Sequence, residues 1–120
     1  MTKEAALTAF WESFGITAYE ESVVPTDAEF PRLTYNVSIG DSMRETMLSC
    51  TLWWYSEGWV SINAKAEEIR RRLGEGGVLL HYDDGVIWLK RGQPFATNVK
   101  QEKDMVRAKA INVIAEILES

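Results

Sequence analysis

With 120 residues, 46% of them apolar and 26% charged, the chain suits one hydrophobic core, is too short for two, and is too rich in core-forming residues to be wholly disordered. A formal charge of −5 argues against general attraction to nucleic-acid phosphates or an anionic membrane and leaves only a local basic patch open. Cys50 is the single cysteine, which excludes an intrachain disulfide, and no segment has the apolar length of a bilayer span.

Leu7, Phe10, Trp11 and Phe14 recur at helical spacing, with Thr2 placed to cap the start and Gly15 to stop the end, which predicts a short amphipathic helix over 2–15. The same stretch, "MTKEAALTAFWESFG", carries acidic residues and no signal-like apolar run, so synthesis in the cytoplasm is the expectation. Residues 16–31 hold Pro25 and Pro31, keep no steady period, and read as a long connection with room for a short extended piece. Over 32–39, Leu33, Tyr35, Val37 and Ile39 alternate with polar residues as in a half-buried strand, and Gly40, Asp41 and Ser42 then make a turn.

A second strand over 45–55 sets Leu48, Cys50, Leu52 and Trp54 on one face and Met47, Ser49, Thr51, Trp53 and Tyr55 on the other. The adjacent tryptophans of "TLWWYSEGW" therefore point in opposite directions, Trp54 into the core and Trp53 away from it. Trp59 falls at the start of a helix over 61–73, which carries an apolar stripe of Ile62, Ala66, Ile69 and Leu73 and the ion-pair spacings Glu67 to Arg71 and Glu68 to Arg72. Gly74 ends that helix. In "VLLHYDDGVIWLKRG", Asp84-Gly85 between apolar runs predicts a two-residue hairpin that faces Tyr82 with Ile87 and His81 with Trp88. Residues 105–118 fit a helix through Val106, Ala110, Val113 and Ile117, and equally a strand buried on both faces.

These elements sum to a single α+β domain over 1–120: a helix at 2–15, a connection at 16–31, and a sheet with a second helix at 32–118. The sheet is expected to be mainly antiparallel, with four to five strands and two helices packed on one face.

No catalytic signature accompanies this pattern. His81 is the only histidine and lacks ligand spacing, and Cys50 lies between Leu48 and Leu52 with no nearby base to activate it. "GEGG" at 74–77 lacks the Lys-Ser or Lys-Thr pair of a phosphate loop and follows a helix, so it reads as a helix stop. The expectation is a protein that is not an enzyme and holds no metal or cofactor. Trp53, Tyr55 and Trp88 share the outer sheet face, where they make a sizeable apolar patch for the long connection or another subunit to cover. Arg70, Arg71, Lys90 and Arg91 supply the local basic character, opposed on the helix by Glu67 and Glu68.

The order of a "FPRLTYNV" strand, a strand ending in "TLWWYSEGW", the helix "SINAKAEEIRRRLG", then "GVIWLKRGQPFATNV" and a closing apolar segment resembles small structural proteins of tailed bacteriophages and prophages. The resemblance runs from about Phe30 to the C-terminus, and its family is that of tail-completion or tail-terminator-like, head-tail joining proteins. It implies a non-enzymatic virion subunit, made in the host bacterial cytoplasm, that assembles into a ring, often a hexamer, at the head-proximal end of the tail. The implied partners are its own copies, the tail-tube protein and the head connector, with DNA passing through and no membrane. It also favours a strand for 105–118. On this reading Trp53, Tyr55 and Trp88 form a candidate subunit interface, and Arg70, Arg71, Lys90 and Arg91 line the lumen or face a partner. The alternative is a small ligand-binding module built on the same exposed aromatics.

Overall fold

A computed structural model describes residues 1–39 and 45–119. Helix α1, Lys3–Glu12, starts at Thr2, whose hydroxyl accepts from the Ala5 N–H at 3.1 Å, and closes where the Ser13 N–H donates to the Phe10 carbonyl. Gly15, at φ +78°, turns the chain out of the helix into β1, Thr17–Glu20. A short 3-10 turn, Glu21–Val23, follows, so the connection predicted over 16–31 contains both a strand and a helical turn. Strand β2 covers Arg32–Tyr35, shorter than the predicted 32–39, while β3 covers Glu45–Tyr55 as expected. The turn predicted at Gly40, Asp41 and Ser42 lies outside the described residues.

Helix α2, Val60–Leu73, buries Ile62, Ala66, Ile69 and Leu73, the predicted stripe. Its ion pairs form in part otherwise: Glu67 engages Arg70 at 3.0 Å and Arg71 at 3.3 Å, but Glu68 takes Lys65 at 2.8 Å. Arg72 is drawn instead to the end of α1, where it donates to the Ser13 hydroxyl and lies over the Phe14 ring at 4.6 Å. Strands β4, Val78–Tyr82, and β5, Gly85–Val99, form a hairpin, and β6, Val106–Glu119, completes the sheet. The strand reading of 105–118 is thus the observed one.

The sheet has six strands in the order β1-β2-β3-β6-β5-β4, one more than the four to five expected, and it is mixed because β1 runs parallel to β2. The extra strand comes from "TAYE", four residues flanked by turns, too short to show a period. The hairpin also differs from expectation. Tyr82 pairs with Gly85 and Leu79 with Trp88, so the turn is Asp83-Asp84 and the register is displaced by two residues. Gly85 sits in the ladder opposite Glu119, while the Asp83 N–H donates to the Met1 carbonyl at 2.9 Å and the Asp83 carboxylate bonds the Met1 ammonium. These tertiary contacts outweigh the local Asp-Gly preference. Because the displacement is even, every side chain keeps its predicted face.

Both helices pack on the face carrying Leu33, Leu48, Cys50, Leu52, Ile87, Leu89, Ile111, Val113, Ala115 and Ile117, and all of these join one buried cluster with Leu7, Phe10, Trp11 and Phe14. Trp11 is fully buried, with Phe10 edge-on at 5.0 Å. Trp54 faces the helix side and packs against this cluster, as expected, but it is only half-buried, opposite Arg107 of β6, and the fully buried indole of the core is that of Trp11.

Candidate assembly surface

The face turned away from both helices carries the predicted aromatics. Directly opposed residues of an antiparallel pair share a face, so Trp53 opposite Ala108 and Trp88 opposite Glu116 lie on the same side of the sheet. Their partners are eight residues apart along β6, roughly 26 Å at about 3.3 Å per residue. Trp53 and Tyr55 therefore form one end of this surface and Trp88 the other; the three rings do not converge on one point.

Each end has its own supports. The Trp53 Nε1–H donates to the Thr34 hydroxyl at 3.0 Å, and the Arg32 guanidinium lies over the Trp53 ring at 5.6 Å and the Phe30 ring at 4.4 Å. Phe30 comes from the long connection and meets the Tyr55 ring at 6.1 Å, so part of the patch is covered from within the chain. Tyr55 nevertheless remains 60% exposed. At the far end the Trp88 Nε1–H donates to the Gly76 carbonyl at 2.7 Å, and Lys90 lies over the ring at 4.3 Å. This explains the last glycine of "GEGG": Gly77, at φ +80°, passes so close that a Cβ would stand 2.6 Å from the Leu89 carbonyl oxygen and 2.8 Å from Trp88 Nε1.

Beyond the three predicted rings, the same face exposes Met47 (54%) and Leu118 along the central strands and Leu79 (55%) on β4. Hydropathy alternation marked Met47 as outward. The expected hairpin placed Leu79 on the side of Trp88, as observed, whereas Leu118 sits inside an apolar run, where nothing local distinguishes an outward leucine from an inward one.

The four predicted basic residues divide between the faces. Lys90 is on the outer face, where the Glu45 carboxylate at 3.1 Å and Glu116 at 3.4 Å hold its ammonium above the usual lysine range. Arg91 is on the helix face and donates through Nε and Nη2 to the Arg70 carbonyl, at the end of α2. Arg70 and Arg71 lie on α2 against Glu67, whose carboxyl they hold below its ordinary value, chiefly through the Arg70 hydrogen bond. The basic set thus makes no continuous stripe.

Two cations that the predicted site omitted lie on the helix face of β6. Arg107 and Lys109 stand 5.7 and 5.6 Å from the Trp59 ring, and Arg107 also donates to the Glu57 carbonyl at 2.7 Å. They pin the start of α2 to the sheet, and partial burial pulls the Lys109 ammonium below the usual lysine range. His81 is exposed on β4, and burial pushes the Cys50 thiol far above its usual range. Among the described residues no helix is long and apolar enough to cross a membrane. No protein-family model and no curated protein matches the chain.

Proposed function

We propose that the chain is a ring-forming structural subunit of a tailed phage or prophage virion, acting at the head-tail junction or tail end as a tail terminator or completion protein. The observation that carries this reading is the helix-free sheet face, on which Met47, Tyr55 and Leu79 are each more than half exposed beside half-buried Trp53 and Trp88. Exposed apolar side chains set among polar ones on a sheet face that no helix covers call for a protein partner, and aromatic side chains are the residues interfaces favour. The order of motifs that resembles tail-completion proteins gives that partner an identity: other copies of the chain, the tail tube and the head connector. Light scattering over a concentration series, with and without assembled tail tubes, tests the reading. Self-association or tube binding is expected; a chain that stays monomeric and ignores the tubes contradicts it.

The ligand-binding reading has one observation in its favour, a cleft beside Trp53 bounded by Phe30, Arg32, Lys100, Glu102, Lys103 and Val106, with three cations against one carboxylate. Two rings and a guanidinium could take a planar anionic ligand there. Tryptophan fluorescence during a nucleotide and glycan screen tests it, and a flat response removes it.

A further inference from the structure

Among the described residues several stretches of sheet edge are unpaired, the outer edge of β4 included, and two of them match. At one end of the sheet, among the described residues, β1 pairs only with β2. At the other end β4 covers β5 from Gly85 to Leu89 alone, and among the described residues no strand pairs with the outer edge of β5 from Ala96 to Val99. Unpaired edges expose a row of N–H and C=O groups that template pairing with another chain.

The ladder shows how they correspond. Thr17 faces Arg32, which faces Trp53, then Ala108, then Val99; Glu20 leads by the same steps through Tyr35, Cys50 and Ile111 to Ala96. The open edges therefore occupy the same four rungs on opposite sides of one sheet. Counting strand directions across it, β1 runs antiparallel to β5. Faces match as well: Thr17 and Tyr19 share the outer face with Val99 and Thr97, whereas Ala18 and Glu20 share the helix face with Asn98 and Ala96. A bulge produces this phase, since five steps from Arg91 to Ala96 on β5 oppose two from Val113 to Ile111 on β6. The bulge is held by the Asn112 side-chain amide, which donates to the Pro94 carbonyl, and by Gly92, where a Cβ would meet the Asn112 carbonyl at 2.7 Å. Pro94 and Lys100 flank the open segment and confine pairing to it. Charge is complementary in part: Asp27 and Glu29 share a cleft with Thr17 and Tyr19, and Glu20 and Glu21 end β1, while Lys109 and Arg70 lie beside Ala96 with Glu67 among them and Lys100 follows the β5 edge.

We infer that a second copy of this chain docks head to tail, its β1 adding antiparallel to the outer edge of β5, with Thr17 opposite Val99 and Tyr19 opposite Thr97. The inference rests on reading the chain as a self-assembling subunit and names the edges that meet. Four residues on each side make a short seam, so affinity in solution is expected to be low.

Disulfide trapping tests it, because opposed residues of an antiparallel pair lie within the Cα separation a disulfide needs. Thr17→Cys and Val99→Cys are made as separate proteins in a Cys50→Ala background, at exposed positions, and oxidised alone and mixed at high concentration. Tyr19→Cys with Thr97→Cys repeats the test two rungs away. Cross-linked dimer only in the mixtures, at least tenfold above either protein alone, supports the seam. Dimers of Val99→Cys or Thr17→Cys alone indicate like-edge pairing and overturn it, and no cross-link in any mixture does the same. Should light scattering detect assemblies that do not cross-link, the seam fails while the ring reading stands. Trapped dimers that ignore tail tubes leave the seam standing and count against the virion role.

Discussion

Arg91 donates twice to the carbonyl oxygen of Arg70, at 3.1 Å from Nε and 3.0 Å from Nη2, and so closes the last turn of α2 from the neighbouring strand. A helix C-terminus carries partial negative charge and unpaired carbonyls, and Gly74 satisfies only part of that demand by donating its own N–H to the same oxygen at 3.1 Å. Arg91→Ala is expected to lower stability by about 1–2 kcal/mol. Urea denaturation measures this; no change would mean that the contact is not maintained in solution.

Trp11 and Trp54 separate the core from its margin. Trp11 is fully buried, so Trp11→Ala is expected to cost about 3–5 kcal/mol, whereas half-buried Trp54→Ala should cost about 1–3 kcal/mol. Thermal or chemical unfolding of the two variants compares them. The reverse order would contradict the placement of α1 over the sheet.

Cys50 is 1% exposed between Leu48 and Leu52, and burial raises the pKa of its thiol in the folded chain. In the unfolded chain the thiol ionises near the ordinary value of about 8.5. Stability from this group is therefore complete below that pH and declines as pH rises above it, by up to about 1.4 kcal/mol per pH unit. Cys50→Ala should flatten that decline. A thiol reagent should label Cys50 only on unfolding, and rapid labelling of the native protein would contradict its burial.

The outer face should report on assembly rather than folding. Met47→Ser and Tyr55→Ser are expected to change stability by less than about 1 kcal/mol, since both side chains are more than half exposed, and to abolish or weaken association with partners. Sedimentation with and without tail tubes, beside an unfolding curve, separates the two effects. A large loss of stability without loss of association would show the face to be structural.

Much of this architecture was legible because alternation survives where one sheet face is wet. Leu48, Cys50 and Leu52 against Met47, Ser49 and Thr51 identified β3 and its inner face, and Ile62, Ala66, Ile69 and Leu73 identified α2. β6 was ambiguous because it is central, flanked by β3 and β5, with alanines and isoleucines in both phases. β1 was legible only as a short extended piece of the connection, not as a strand of the sheet, because four residues hold no period. The outward direction of Trp53, Tyr55 and Trp88 followed from parity alone, and an even slip of the hairpin left it intact. Their separation along the sheet did not follow, because it depends on the registers of β3 and β5 against β6, which no local pattern encodes. The internal cover from Phe30 and Arg32, and the seat of Trp88 on the "GEGG" loop, are contacts between distant segments and were likewise invisible.

The most direct test of the proposed role is electron microscopy of assembled phage tail tubes incubated with the purified chain. The account predicts a ring of density at one end of each tube and an end to further growth of the tube. Bare tubes that continue to lengthen in excess chain would contradict it.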